Sequence, residues 1–302
     1  MTIVGLVGTG RMGSAMARAV RDAGLDVILY NRTAERAAAL ALVLGCDVCT
    51  SPHEVAAKAD IVLTMLADDD AVLATWRGPK GLIAGARPGT VLVDLSTVTP
   101  DTIRALEADT RATGAGILDS PVSGSVTTAQ SGQLTLMVGG TADDLEKARP
   151  ALEPLAKTIV HVGPLGAGAA MKLAVNTVIF GLNEALAEGL VLAEAAGVDR
   201  TMAYDVIAAS AVGAPYVGYK RAAFVEPETT PVAFSLDLAA KDLGLIQELA
   251  ERVGLELPQA ATNLDAIRTA ALALGGDADF SAVAAQLRNE RKGVTAEPAG
   301  GR

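Results

Sequence analysis

The sequence is poor in the side chains that most often bind transition metals or carry redox chemistry. Its 302 residues include two cysteines and two histidines. Cys46 and Cys49 form a CxxC pair, but a zinc site would need a second ligand pair, and a redox motif would need a helix starting after the first cysteine. The surrounding letters CDVCT alternate as a short strand does. We therefore predict neither a metal site nor a redox site.

An excess of positive charge and a long apolar run are also missing. The formal net charge of −10 argues against nucleic acid or an anionic membrane surface as a main partner. Charges or glycines interrupt every apolar stretch before it reaches the length of a membrane span. The first letters, MTIVGLVGTG, lack a basic segment and begin a strand pattern, so we expect no signal peptide and a cytoplasmic protein.

What the sequence does contain is enough apolar material for two domains, since half of its residues are hydrophobic. In the first half, short apolar runs alternate with helical patterns at 12–23 and 34–44, which predicts a mostly parallel, doubly wound sheet. The predicted strands are 3–7, 27–30, 61–66, 90–95, 117–119, 134–138 and 159–162.

The second half has a different character. Residues 167–196 form one helical pattern that is apolar on almost every side, and such a helix must be buried. No later run alternates as a strand does, so we predict an all-helical region. Its further helices are predicted at 201–211, 235–253, 258–275 and 281–290.

A glycine motif follows the first strand and opens the first helix, the context in which GxGxxG binds a dinucleotide. The first two glycines allow a tight turn and the close approach of a pyrophosphate, and the third lets helix and strand pack. The helix N-terminus offers free N–H groups to the phosphates. The predicted contacts are Gly8, Gly10, Arg11, Met12 and Gly13.

The second strand ends at Asn31-Arg32-Thr33, where an NAD-binding sheet usually carries an acidic residue for the ribose hydroxyls. An acid would repel a 2′-phosphate, whereas Arg32 can form a forked pair with one and Thr33 can donate a further hydrogen bond. We predict that Asn31, Arg32 and Thr33 contact the cofactor. NADP(H) is the preferred cofactor, with NAD(H) as the alternative.

These patterns predict an α/β fold with an N-terminal Rossmann doubly wound sheet, a long interdomain helix and an all-α C-terminal domain. The predicted boundaries are an NADP-binding domain at 1–163, a helical substrate and dimerisation domain at 164–295 and a disordered tail at 296–302.

Further candidates lie at the ends of later strands, where doubly wound sheets bind ligands. Four of them are predicted to lie near the nicotinamide: Leu66, Ala67, Ser96 and Thr97. The segment DSPVSG at 119–124 ends another strand, and Ser123 with the N–H groups around Gly124 could hold a carboxylate. By itself this segment would equally fit a Pro/Gly turn.

The long helix opens with VGPLGAGAAMKLAVN, in which Lys172 and Asn176 are four residues apart and share a face. The nearest acid on this helix is Glu184, more than two turns away. Apolar surroundings lower the pKa of a lysine towards neutrality, where the amine can both accept and donate a proton. The pattern alone leaves a lysine reaching solvent as an equal alternative. Neither His53 nor His161 is well placed for a proton relay, which favours the lysine.

Taken together, the motifs resemble the β-hydroxyacid dehydrogenase family, which includes 3-hydroxyisobutyrate dehydrogenases, tartronate semialdehyde reductases and succinic/glyoxylic semialdehyde reductases. The resemblance covers nearly the whole chain. It rests on GTGRMGSAMA at 8–17, DLSTVTP at 94–100, DSPVSGS at 119–125, GPLGAGAAMKLAVN at 163–176 and Lys241-Asp242-Leu243.

The resemblance implies an oxidoreductase that transfers a hydride between a nicotinamide and a small β-hydroxy acid or semialdehyde. It implies that Lys172 is the catalytic acid/base, that Asn176 orients the substrate and that Lys241 lies near the cofactor. It also implies that Ser123 and Gly124 bind the substrate carboxylate. Many members have a second glycine where this chain has Ser125. This difference leaves the identity of the substrate open, whereas the type of reaction is still implied.

Two alternatives remain at this point. An imine reductase or reductive aminase would share the fold, but that group usually has Asp or Tyr at the position of Lys172. A catalytically inactive NADP-binding regulatory protein would lack the lysine. The substrate and the physiological direction stay open, although NADP(H) favours reduction.

We also predict a homodimer or homotetramer, because the long apolar helix has more surface than one small domain covers. The far wall of the pocket is expected near Tyr216, Lys220, Phe234 or Asp237.

Overall fold

The structure, a computed structural model, describes residues 2–296, so the tail predicted at 296–302 lies outside the described residues except for Ala296. The chain divides into two compact units, the first ending at Leu173 and the second beginning at Ala174. Within residues 2–296, no helix combines the length and the apolar composition that crossing a membrane requires.

The first unit is built on one sheet. Its described residues form strands β1 (Ile3–Val7), β2 (Asp26–Tyr30), β3 (Asp47–Val48), β4 (Ile61–Thr64), β5 (Val91–Asp94), β6 (Gly116–Asp119), β7 (Val122–Ser123), β8 (Leu134–Gly140) and β9 (Ala156–Gly163). Strands β1 to β6 are parallel in the order β3-β2-β1-β4-β5-β6, the order of a Rossmann fold. Strand β8 is antiparallel to both β6 and β7 and parallel to β9. The predicted doubly wound sheet is confirmed.

Helices cover both faces of this sheet, which is why its strands are apolar almost throughout. They are α1 (Arg11–Asp22), α2 (Ala34–Leu44), α3 (Pro52–Lys58), α4 (Asp69–Trp76), α5 (Leu82–Gly85), α6 (Pro100–Ala112), α7 (Val126–Gln130) and α8 (Ala142–Leu152). Successive strand residues enter opposite cores: Leu63 and Val93 pack on one side, Val62 and Leu92 on the other. Helix α3 begins directly after Ser51, whose hydroxyl caps it by accepting a hydrogen bond from the Glu54 N–H.

Helices make up the second unit, as predicted. Helix α9 (Ala167–Ala195) begins in the first unit and continues into the second. The others are α10 (Arg200–Ala209), α11 (Pro215–Val225), α12 (Leu236–Arg252), α13 (Pro258–Leu274) and α14 (Val283–Ala296). Helix α11 was not among the predicted helices.

Within a single chain, helix α9 is not buried on every side. Val178 is 70% exposed and Leu192 is 72% exposed, and Met171 and Ala185 are exposed as well. These four residues follow one another at intervals of seven, so they lie along one line of the helix. We call them the α9 stripe.

Candidate functional site

The turn between β1 and α1 has a shape that suits a dinucleotide. Gly8 has a φ of +97°, and a Cβ there would collide with the carbonyl oxygen of Met65. A Cβ at Gly13 would collide with the carbonyl oxygen of Gly8, whereas a Cβ at Gly10 would meet nothing within 4 Å. The buried Thr9 hydroxyl has no hydrogen-bond partner among the described residues. Open space at Gly10 and a spare buried hydroxyl beside a helix N-terminus fit a bound pyrophosphate.

The tip of β2 is held to this turn through an amide. The Oδ1 atom of Asn31 accepts a hydrogen bond from the Thr9 N–H at 3.0 Å, and its Nδ2 atom donates to the Thr33 carbonyl oxygen at 2.9 Å. Arg32 and Thr33 are exposed. Asn31 therefore shapes the tip, and the Arg32 guanidinium is accessible to a ligand.

The loops after β4 and β5 are joined through a buried carboxylate. The Oδ1 atom of Asp94 accepts hydrogen bonds from the Thr64 hydroxyl at 2.6 Å and the Ser96 hydroxyl at 2.8 Å. The Ser96 oxygen in turn accepts from the Leu66 N–H at 2.9 Å. Burial raises the pKa of Asp94 to about 6, against the opposing effect of the two hydroxyl donors. The predicted neighbours Leu66 and Ser96 are thus in direct contact.

The glycines before α9 let Asp119 cap that helix. Its carboxylate accepts hydrogen bonds from the Gly166 N–H at 2.8 Å and the Ala169 N–H at 2.7 Å. Gly166 has a φ of +87°, and a Cβ at Gly168 would crowd the backbone and the carboxylate of Asp119. Burial raises the pKa of Asp119, although the helix N–H groups oppose the shift. Lys172 follows Ala169 by three residues and is half-buried. The glycine-rich approach thus ties the start of the lysine helix to the end of β6.

The predicted carboxylate-binding segment begins at the same Asp119. Gly124 has a φ of +143°, and a Cβ there would crowd the side chain of Thr128. Ser125 is the N-cap of α7: its hydroxyl accepts from the Thr128 N–H, and the Thr128 hydroxyl oxygen accepts from the Ser125 N–H. The serine that departs from the family pattern therefore has a local structural use.

In the second unit, a buried carboxylate contacts two of the predicted residues. The Asn176 amide donates from Nδ2 to Asp242 Oδ2 at 2.8 Å, and the Lys241 ammonium lies 2.8 Å from Asp242 Oδ1. Asp242 is 2% exposed. Because Asp242 is buried, the Lys241–Asp242 pair is not an ordinary exposed ion pair on a helix surface.

The groups expected at the far wall have partners inside the second unit. The Tyr216 hydroxyl donates to the Asn183 side-chain oxygen at 2.6 Å. The buried Lys220 ammonium lies 2.6 Å from Asp279 Oδ1, and burial lowers the pKa of Lys220 in spite of that carboxylate. These contacts join α9, α11 and the segment before α14, so they serve the interior of the helical unit.

Sequence reasoning missed the anchoring roles of Asp94, Asp119 and Asp242. Each is nearly fully buried, at 1%, 1% and 2% exposure. The sequence did offer one signal: an acidic residue at the end of an apolar strand or on an apolar helix face will be buried. A buried carboxylate then needs hydrogen-bond donors from elsewhere in the fold.

The two histidines lie apart from these networks. The His161 ring contacts the Gly140 carbonyl oxygen, and the backbone N–H of His53 donates to the Lys80 carbonyl oxygen.

Comparison with known proteins decides what this arrangement is. Residues 3–163 match the model of the NAD binding domain of 6-phosphogluconate dehydrogenase. Residues 166–287 match the NAD-binding model of NADP-dependent 3-hydroxyisobutyrate dehydrogenase. The chloroplastic glyoxylate/succinic semialdehyde reductase 2 of Arabidopsis thaliana is 35% identical over 285 residues, which cover 94% of this chain and 79% of that protein.

The chain belongs to the β-hydroxyacid dehydrogenase family. This dehydrogenase is similar to the structure of Mycobacterium tuberculosis 3-hydroxyisobutyrate dehydrogenase with L-serine: TM-score 0.83, 34% identity, 95% and 99% of the two chains covered. An imine reductase of Streptomyces aurantiacus is more distant, with a TM-score of 0.61 and 26% identity over 95% and 99% of the chains. The protein is an NAD(P)-dependent oxidoreductase of the 3-hydroxyisobutyrate dehydrogenase type, acting on CH–OH groups.

Proposed function

We propose that this dehydrogenase uses NADP(H) to interconvert a small β-hydroxy acid and its semialdehyde, with Lys172 as the general acid/base. One observation carries the proposal: Asp119, which opens the segment 119–124, also holds the first turn of the helix that bears Lys172. The candidate carboxylate site and the candidate proton donor are therefore joined through one buried side chain. Both belong to the unit that contains the glycine motif.

The chain's own residues would act as follows. A bound nicotinamide supplies or accepts the hydride. Ser123 and the N–H groups around Gly124 bind the substrate carboxylate. Protonated Lys172 donates a hydrogen bond to the carbonyl oxygen and transfers its proton there during reduction; in oxidation the neutral amine accepts the hydroxyl proton. The roles of Asn176 in orienting the substrate and of Lys241 in contacting the cofactor stay predictions.

Replacing the lysine tests the acid/base assignment. Lys172→Ala removes the proton donor, so kcat should fall by roughly a hundred- to ten-thousand-fold. The dissociation constant of NADPH, measured by fluorescence titration, should stay close to that of the wild type. Lys147→Ala, at an exposed lysine on α8, is the matched control and should keep full activity. If Lys172→Ala keeps the kcat of the wild type, Lys172 is not the general acid/base.

The cofactor preference is proposed from the tip of β2. Arg32 is exposed there and the position after β2 carries no acid, which favours a 2′-phosphate. The ratio of kcat/KM for NADPH to that for NADH should exceed one in the wild type and fall in Arg32→Ala. A wild-type ratio below one would reverse the preference to NADH.

A substrate panel separates this proposal from its two alternatives. Small semialdehydes, glyoxylate and 3-hydroxy acids are each assayed with both cofactors, beside cyclic imines. Turnover of semialdehydes or hydroxy acids supports the proposal. Turnover of imines alone would make the protein an imine reductase. NADPH binding without turnover of any compound would favour a regulatory NADP-binding protein.

A further inference from the structure

The loops that follow β4 and β5 are connected by an uninterrupted chain of hydrogen bonds. It runs from the Thr64 hydroxyl to Asp94, from Asp94 to Ser96 and from Ser96 to the Leu66 N–H. The second oxygen of Asp94 accepts from the Ser96 N–H at 3.2 Å. One carboxylate thus contacts the end of its own strand, the neighbouring strand and the loop beyond.

The hydrogen-bond directions in this chain are fixed by chemistry. An ionised carboxylate can only accept, so the single proton of the Ser96 hydroxyl is used on Asp94. The Ser96 oxygen has two acceptor positions, and the Leu66 N–H fills one of them. Ser96 is 1% exposed, so its hydroxyl acts inside the protein as a relay from the Asp94 carboxylate to the Leu66 backbone.

The environment makes this carboxylate a rigid anchor. Asp94 is 1% exposed, and the Trp76 indole N–H lies within 3.4 Å of the Thr64 hydroxyl oxygen. The charged group acting on Asp94 from the neighbouring strand is Asp119, whose carboxylate is turned to the first turn of α9. A buried carboxylate with three donors holds those donors more firmly than a neutral side chain would.

We propose that Asp94 is a positioning residue for the nicotinamide half of the cofactor, acting through the Ser96 hydroxyl and the Leu66 backbone. The inference rests on the proposed function, because it takes the loops after β4 and β5 as the nicotinamide-side contacts. Asp94 itself touches no ligand. Through Ser96, which is itself 1% exposed, it holds the Leu66 N–H and so fixes the backbone of the loop after β4 that the nicotinamide half would meet.

The test compares the whole cofactor with its adenine half. NADPH contains the nicotinamide, whereas 2′,5′-ADP carries only the groups expected at the glycine turn and the β2 tip. Asp94→Asn removes the negative charge of the carboxylate. It also replaces the oxygen that accepts from the Ser96 N–H with an amide N–H₂, which cannot accept that hydrogen bond. We expect the dissociation constant of NADPH to rise about tenfold, the equivalent of about 1.4 kcal/mol. The dissociation constant of 2′,5′-ADP should stay unchanged, with both measured by calorimetry.

Two further variants keep the test decisive. Ser96→Ala removes the relaying hydroxyl and should reproduce the selective loss of NADPH binding even if Asp94→Asn fails to fold. Asp144→Asn is the matched control, a buried carboxylate that pairs with Arg111 and lies against Gly116 at the opposite, amino end of β6. It should leave the affinity for both ligands unchanged.

Other outcomes overturn the inference. Equal weakening of NADPH and 2′,5′-ADP in Asp94→Asn and Ser96→Ala would make the network a general support of the fold. Unchanged NADPH binding in both variants would make the network irrelevant to the cofactor. Failure of the wild-type protein to bind NADPH would instead remove the proposed function itself.

Discussion

Gly10 and Gly13 belong to one motif but meet different neighbours. A Cβ at Gly13 would collide with the Gly8 carbonyl oxygen, so that glycine is required by the packing of α1 on the strand end. A Cβ at Gly10 would enter open space, so nothing in the protein itself requires a glycine there. We attribute the glycine at this position to the proposed cofactor, whose pyrophosphate would approach Gly10 closely.

The two glycines can therefore be separated by mutation. Gly10→Ala should keep the melting temperature of the cofactor-free protein, since its φ of −69° is allowed for alanine. It should weaken NADPH binding by about tenfold or more, because the methyl group occupies the approach of the pyrophosphate. Gly13→Ala should lower the melting temperature of the cofactor-free protein. Calorimetry and NADPH titration of both variants check this, and unchanged NADPH affinity in Gly10→Ala would contradict it.

Glu184 is a buried acid whose charge is poorly compensated. Burial raises its pKa to about 7, and the Asn183 amide, 3.5 Å away, only partly offsets the effect. The folded state therefore binds a proton more tightly than the unfolded state does. This contribution to stability is fully present below the unfolded pKa of 4.5 and is lost as pH rises through the folded pKa.

Glu184→Gln should remove this pH dependence. At about pH 8 the variant should be more stable than the wild type by up to about 3 kcal/mol, and near pH 4.5 the difference should vanish. Urea unfolding of both proteins at several pH values measures the difference. Parallel stability curves across this range would show that Glu184 does not titrate as described.

At the scale of the elements, the start of α7 explains an unusual residue. Ser125 and Thr128 exchange side-chain and backbone hydrogen bonds as a capping box, directly after Gly124. Ser125→Ala removes the acceptor for the Thr128 N–H and should lower the free energy of unfolding by about 1 kcal/mol. Ser125→Gly should lower the free energy of unfolding by only a few tenths of that amount. Equal stability of all three proteins in urea titrations would exclude the cap.

The elements differ in how far the sequence predicts them. Strands β4 and β5 were predicted because their apolar runs reflect burial on both faces. Helix α11 was not, because its buried face includes Lys220, which pairs with Asp279 some sixty positions away in the chain. Strand β7 has two residues and forms only by pairing with β8. Contacts between distant segments leave little local signal.

The residues of the candidate site also differ in how far the sequence predicts them. The glycine motif was predictable because it lies within one short segment, where Gly8 and Gly13 meet local demands of the turn. The links from Asp119 to α9 and from Asp94 to Leu66 were not, because each joins segments that only the folded sheet brings together. The predicted role of Asn31 at the cofactor did not reveal its hydrogen bond to Thr9, twenty-two residues earlier.

For the whole molecule, the α9 stripe supports the predicted homodimer or homotetramer. Exposed apolar residues repeating every seven positions on a helix match the contact seam of a second helix. A second copy of this chain presents the same stripe, and two-fold pairing would cover both.

Charges placed on the stripe test the assembly. Sedimentation at micromolar concentration should give the wild type a mass of two or four chains, whereas Val178→Asp with Leu192→Asp should give a smaller assembly. Leu272→Asp alters a leucine that is 91% exposed on α13, a different helix from the stripe, and should keep the wild-type mass. A monomeric wild type would contradict the prediction.

The double attachment of Asp119 has a consequence for evolution and design. Its backbone continues into the 119–124 turn while its oxygens fasten the start of the lysine helix. Under the proposed function, a substitution that reshapes the turn to admit a bulkier acid would therefore also change the orientation of that helix. Variants selected for new substrates should then acquire compensating changes next to Gly139 and Gly168, the two positions where an added Cβ would crowd this carboxylate.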